Sequence, residues 1–156
     1  MRAMNDAMRA ILHGVSEAST LTPGLAELLE MGFTCKDGYV LWKSFFPENA
    51  LLNKEFIKKH YMDATGYESS VNKIHIEDYC EGEVLQNMLT FLNHFERKWR
   101  AIFEKNCTVI VGIDDDSEFG LSCNLRFHVK REGEAWIDAK ELNEFSGAVL
   151  ISEVNI

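Results

Sequence analysis

The densest gathering of ionisable side chains in this chain of 156 residues is Asp114, Asp115, Asp116 and Glu118, in "VGIDDDSEFGLSC". Four carboxylates so close together can hold a metal, work as an acid and a base, attract a cationic partner, or keep a hairpin tip in water. An EF-hand needs oxygen ligands at its first, third, fifth and twelfth positions and a glycine at the sixth. Counted from Asp114, Phe119 stands where the glycine is required and Leu125 where the bidentate glutamate belongs. The pattern is not an EF-hand, and no metal is expected. Acid–base catalysis needs two carboxyls in different environments, one of them desolvated. Consecutive aspartates between two strands all meet water, so no catalytic role is expected of them.

Nucleophilic chemistry has no better support. Cys123 and His128 share one predicted strand at odd spacing, which turns them to opposite faces. Cys80 and His75 fail by the same parity if that segment is extended. The four cysteines, Cys35, Cys80, Cys107 and Cys123, form neither a CxxC pair nor a zinc-finger spacing. They read as reduced thiols in or near the core. Neither GxGxxG nor GxxxxGK[ST] occurs, which argues against the common nucleotide enzymes, and no cofactor is implied. The alternative is a small α+β enzyme or ligand-binding domain whose site is assembled from distant positions such as His75, His94, His128, Cys80 and Asp114.

Charge placement says more. The formal net charge is -9; residues 1–60 carry seven Lys/Arg and seven Asp/Glu, so residues 61–156 supply all of it. Phosphate backbones require clustered Lys and Arg, so nucleic acid is not expected as a direct partner. A basic protein surface is. A second acidic cluster, Glu77, Asp78, Glu81 and Glu83 in "IEDYCEGE", joins Asp114, Asp115, Asp116 and Glu118 as the candidate partner-binding set. The longest apolar runs fall far short of a membrane span, so no membrane partner is expected. The first twenty residues lack the continuous apolar stretch of a signal peptide, and a cytoplasmic location is expected.

The elements that must position these residues follow from periodicity. Met4, Ala7, Met8, Ile11, Leu12 and Val15 share a helical stripe, predicting a helix over 3–18. "LTPGLAELLEMGF" predicts a second helix, with Thr22 as cap, Pro23 at its first position and Gly32 as its stop. "FTCKDGYVLWKSFF" predicts a hairpin turning at Asp37-Gly38 as a type I′ turn. "PENALLNKEFIKKHY" reads as a helix with Leu51, Leu52, Phe56 and Ile57 inward, and "SSVNKIHIEDY" as a strand or extended segment. A long helix over about 82–105 carries a wide apolar stripe from Val84 to Phe103, with Asn87 on its outer face. "CTVIVGI" predicts a strand buried on both faces. "LSCNLRFHVKR" predicts its hairpin partner, with Leu125, Phe127 and Val129 on one face and Arg126, His128 and Lys130 on the other. A turn, a short helical turn and a last strand, "AVLISEV", close the chain. The expectation is one α+β domain over 1–156: a mostly antiparallel sheet covered by the long helix, with N-terminal helices nearby.

The closing segment, "CNLRFHVKREGEAWIDAKELNEFSGAVLISEVNI", resembles that of small bacterial immunity proteins paired with contact-dependent or other polymorphic toxins. The matching pieces are the strand at 125–130, the charged turn at 131–134, Trp136, Leu142 with Phe145, and the strand at 148–154. The resemblance implies a non-enzymatic cytoplasmic protein that binds a cognate toxin's C-terminal domain, often a nuclease, and blocks it by steric occlusion and charge matching.

Overall fold

Residues 107–113 are apolar almost without interruption, and such a strand must be covered on both faces. In the computed structural model, which describes residues 1–116, 118 and 120–156 (Asp116 through its backbone only), this run forms the middle of the main sheet. The chain runs β1 (Arg2–Met4), α1 (Asp6–Leu12), α2 (Pro23–Met31), β2 (Phe33–Lys36), β3 (Tyr39–Trp42), α3 (Lys54–Tyr61), α4 (Ala64–Val71) and β4 (Ile74–His75). A 3₁₀ turn (Ile76–Tyr79) leads to α5 (Val84–Ile102), then β5 (Cys107–Asp116), β6 (Gly120–Val129), a second 3₁₀ turn (Ala139–Glu144) and β7 (Ala148–Val154). The main sheet has the order β1-β7-β5-β6-β4 with every pair antiparallel, and β2–β3 is a separate hairpin. This is the α+β architecture read from the sequence, and α5 covers one face. No helix among the described residues is long and apolar enough to cross a membrane.

The odd-numbered residues Cys107, Val109 and Val111 meet Met88, Phe91, Leu92, Phe95 and Trp99 of α5, all fully buried. Phe33, leading out of α2, lies among the large rings. It stacks on Trp42 at 5.0 Å and meets Phe95, Trp99, Phe103 and Phe127 edge-on at 5.5–5.7 Å. The even face, with Ile110, Val149 and Ile151, is covered by Leu142 and Ile137.

Three local expectations fail. Residues 2–4 are a strand, because pairing with β7 satisfies their backbone: Arg2↔Ser152, Ala3↔Ile151 and Met4↔Leu150. Asn5 then ends the strand and starts α1, its Oδ1 accepting from the N–H groups of Met8 at 3.0 Å and Val149 at 3.1 Å. α3 begins only after Asn53, which caps it, so Leu51 lies outside the helix and is 92% exposed, and Phe56 is half exposed. Residues 69–71, expected to be extended, instead end a helix over residues 64–71. Asp63 caps it by accepting from the Gly66 N–H at 2.7 Å, and a Cβ on Gly66 would lie 2.3 Å from the Tyr61 carbonyl oxygen.

α4 carries the clamp between the two sheets. Glu68, fully buried, accepts from the Val40 N–H of β3 at 2.9 Å and the Val129 N–H of β6 at 2.7 Å. Arg131 closes on the same carboxylate with two hydrogen bonds, 2.9 and 2.7 Å. Burial works against the Arg131 charge, but the Glu68 pair outweighs it and raises its pKa. One turn further, Asn72 accepts from the Trp42 N–H at 3.2 Å and donates to the carbonyls of Val40 at 2.8 Å and Phe127 at 3.3 Å. Glu68→Gln would leave Arg131 without its counterion, and breaking a buried pair from one side costs about 3–5 kcal/mol. Urea denaturation should show that loss as a lowered midpoint at unchanged slope. A loss below about 1 kcal/mol, the scale of an exposed pair, would show that the clamp is dispensable.

Candidate functional site

Pro23 fixes the first turn of α2, since its missing N–H costs a helix nothing there. Thr22, expected as the cap, instead donates its hydroxyl to the Tyr79 carbonyl at 2.8 Å and makes no cap bond. α5 starts equally bare. Gly82 (φ 87°) and Glu83 (φ 48°) take left-handed conformations that turn 81–83 outward, and Glu83 makes no side-chain cap. The two helix starts and the 3₁₀ turn between them enclose a cleft of about 620 Å³. Its floor includes Gly24, Tyr79, Cys80 and the buried amide of Asn87, which was expected on the outer face of α5. Its lip carries Asp78, Glu81 and Glu83, all exposed.

Gly24 and Tyr79 also line a second, mostly apolar hollow of about 210 Å³ along the flank of α2, with Leu28, Met31 and Phe45 and with Ser44 and the exposed Glu27 beside them. A Cβ on Gly24 would lie 3.2 Å from the Tyr79 ring, so the glycine lets helix and ring close up. Met31 and Phe45 are 46% and 44% exposed. The two hollows form one groove with an acidic end, a tyrosine at its middle and an apolar end. Two helix N-termini contribute about half a positive charge each. Three full carboxylate charges outweigh them, so the acidic end attracts cations. Burial, then Asp78, pushes the Tyr79 phenol up; burial, then Glu77, does the same to the Cys80 thiol. Both therefore present neutral groups at physiological pH, and a protonated thiol is a poor nucleophile.

The other expected carboxylates go elsewhere. Glu77 is turned away from the groove and rivets the 3₁₀ turn to β6. It accepts from the Cys123 N–H at 2.9 Å and the Ser122 hydroxyl at 3.0 Å, and lies 3.3 Å from His75 Nδ1. The acidic loop at 114–118 is largely strand: β5 continues through Asp116, pairing Asp114↔Ser122, Asp115↔Leu121 and Asp116↔Gly120. Successive side chains point to opposite faces, so Asp114 and Asp115, both exposed, project from opposite sides of the sheet. Glu118 is exposed, and the side chain of Asp116 lies outside the described residues.

The alternative catalytic set does not converge. His128 and Asp114 are separated along the sheet by six residue steps, roughly 20 Å. His128 is buried, and burial, despite the opposing bond to the Val129 carbonyl, lowers its pKa and keeps it neutral. His94 is exposed on α5. Burial pushes the Cys123 thiol up to about 12. His75, Glu77 and Ser122 adjoin, but the hydroxyl donates to the carboxylate rather than to the imidazole, so the nucleophile–base bond of a triad is missing. Among the described residues no three His, Cys, Asp or Glu side chains are placed to hold a metal. Sequence reasoning found Asp78, Glu81 and Glu83 but missed Met31, Phe45 and Tyr79. Their one signal was apolar residues at the end of a helix and just past a hairpin arm.

A family model described as the Uncharacterized protein PM0498 family matches residues 3–156. The chain belongs to that family. A relative, the Uncharacterized protein PM0498 of Pasteurella multocida (strain Pm70), is 30% identical over 140 residues, which is 88% of this chain and 87% of the relative. No solved structure matches the chain. The family match runs from β1 past β7, so clamp and groove both lie within it.

The Glu77 rivet has a pH signature. Burial acts to raise its carboxyl, but hydrogen bonds from Cys123, its own N–H, Ser122 and His75 overcome that, and its pKa is lowered. A carboxyl lowered by folding adds stability above its unfolded value of about 4.3 and loses it as pH falls through the folded value. The stability gap between the native chain and Glu77→Gln should be full at neutral pH and close progressively in acid, as read by urea denaturation. A gap constant with pH would assign Glu77 no such role.

Proposed function

We propose that this is a binding protein whose α2 groove receives a basic, apolar-anchored segment of a protein partner, and that the partner is a toxin domain it neutralises in the cytoplasm. The observation that carries the reading is the junction of opposite chemistries at Tyr79: Asp78, Glu81 and Glu83 on one side, Met31 and Phe45 on the other. Carboxylates at a rim steer a cationic partner and raise its association rate. Aromatic and apolar anchors at the centre of an interface hold it and set its dissociation rate. The net charge of -9 and the likeness of the C-terminal segment to immunity proteins support the toxin as partner. The clefts of many toxin nucleases are basic, and occluding one requires no chemistry from the inhibitor.

The test begins with survival. The C-terminal region encoded by the reading frame immediately upstream is expressed with and without this protein, and protection is expected only with it. A gene without such a neighbour, or a neighbour that is harmless, would count against the toxin. In surface plasmon resonance against that domain, Asp78→Asn with Glu81→Gln and Glu83→Gln should slow association about tenfold at low salt, and less at high salt. Tyr79→Ala should instead speed dissociation, at a cost of about 2 kcal/mol if it is a hot spot. Asp114→Asn with Asp115→Asn should change neither rate as much. Unchanged kinetics in the triple variant would remove the groove from the interface.

A further inference from the structure

The sheet face opposite α5 is only partly covered. Leu142 and Ile137 of the 130–147 segment pack on Ile110, Val149 and Ile151, and the same segment sets Trp136 against Arg126, whose guanidinium carbon lies 5.4 Å from the ring centroid. Arg126 is half-buried there, and burial opposes its charge. Every other arginine is engaged: Arg2 and Arg100 with Glu96, Arg9 with Asp6, Arg97 with the Asn93 carbonyl and Arg131 with Glu68. Among the described residues Arg126 is the one arginine with no hydrogen bond or carboxylate partner, in a chain with 25 Asp and Glu against 16 Lys and Arg. Carboxylates are abundant, yet none has been placed on it. Asn124, two residues earlier and so on the same face, has its amide over Gly112, 3.0 Å from where a Cβ would stand. Neither the Asn124 amide nor the Trp136 indole N–H donates to a described group.

We propose that Arg126, Asn124 and Trp136 form a binding site for a carboxylate, separate from the α2 groove and independent of the toxin reading. A guanidinium offers two parallel N–H groups that match the two oxygens of a carboxylate in one plane. Trp136 holds that plane from below through its ring face while leaving the edge open. Asn124 adds a neutral donor, and Gly112 keeps the sheet low beneath it. A half-buried cation gains more from such a pair than an exposed one, because its water is already partly removed. A monovalent carboxylate fits better than a doubly charged phosphate, since the net charge of -9 opposes each added negative charge. The carboxylate can come from a small organic acid or from an Asp or Glu side chain of another protein.

The chain supplies its own reporter. Trp42 and Trp99 are fully buried while Trp136 is 40% exposed, so quenching of tryptophan fluorescence from solution reads Trp136. Iodide, an anion, should quench the native protein several-fold more than R126Q, while the neutral quencher acrylamide treats both alike. Sodium acetate should protect the native protein from iodide with a saturating curve, and sodium chloride of equal ionic strength should protect it less. R126K, which keeps the charge and loses the fork, should keep the iodide quenching and lose the acetate advantage. Should R126Q let acrylamide in, meaning that the 130–147 segment has lifted, R126K decides by the same criterion. Acetate against a blocked glutamate-containing peptide separates the sources, the tighter competitor naming the ligand. Equal iodide quenching in native protein and R126K-controlled R126Q, or acetate no better than chloride, would overturn the site and leave Arg126 as a packing contact for Trp136.

Discussion

Glu68 is the constraint on which the rest of the molecule depends. A fully buried carboxylate is tolerable only when each oxygen is occupied, and here each oxygen accepts a backbone N–H and an arginine N–H, from two sheets that share no strand pairing. α4 thus substitutes side-chain acceptors for a neighbouring strand, and Asn72 continues the substitution one turn later. The groove inherits its shape from this clamp. α2 runs through Gly32 into β2, and β3 runs on to Phe45, so fixing the hairpin against β6 also fixes one wall and the apolar end of the groove. The other wall is set by Glu77, which holds the 3₁₀ turn and with it Tyr79 against the same strand.

The electrostatics divide along the same lines. Some of the carboxylates of residues 61–156 are structural: Glu68 clamps, Glu77 rivets, and Glu96 ties α5 to Arg2 and to the Ser152 hydroxyl at 2.7 Å. Glu68 and Glu96 are balanced by Arg131 and Arg2 and add little to a field that a partner protein would feel, whereas Glu77 is held by a backbone N–H, a hydroxyl and an imidazole and is turned away from the groove. Asp78, Glu81 and Glu83 stand at the open end of a groove, where a field does reach solvent. A count of carboxylates therefore overstates the acidity available for recognition, and placement decides which residues matter.

What the sequence disclosed depended on how local the determining interaction is. Asp37-Gly38 was readable because a type I′ turn needs two positive φ angles, and the structure has 52° and 87° there. The α5 stripe and the alternation of β6 were readable because each is set by one face meeting one core. The N-terminal strand was hidden, since Met4, Ala7 and Met8 keep helical spacing while β7, whose register partners lie about 150 positions away, sets the outcome. Glu68 was hidden more thoroughly. In "GYESSV" it reads as an ordinary polar residue, and its partner Arg131 is 63 positions distant. The acidic half of the groove was visible as a run, "IEDYCEGE", although Glu77 within it faces the other way. The apolar half was not, because Met31, Phe45 and Tyr79 come from three separate segments.

The central claim is that the α2 groove accepts a cation beside an apolar group. The direct measurement is a ¹⁵N NMR titration with an amidated, arginine- and leucine-rich peptide. The account predicts saturating shifts centred on Gly24, Tyr79, Gly82 and Asn87, with the Met31 and Phe45 amides following, and little movement at Asp114 and Asp115. Shifts spread evenly over the acidic surface, or centred on the β5–β6 hairpin end, would contradict it.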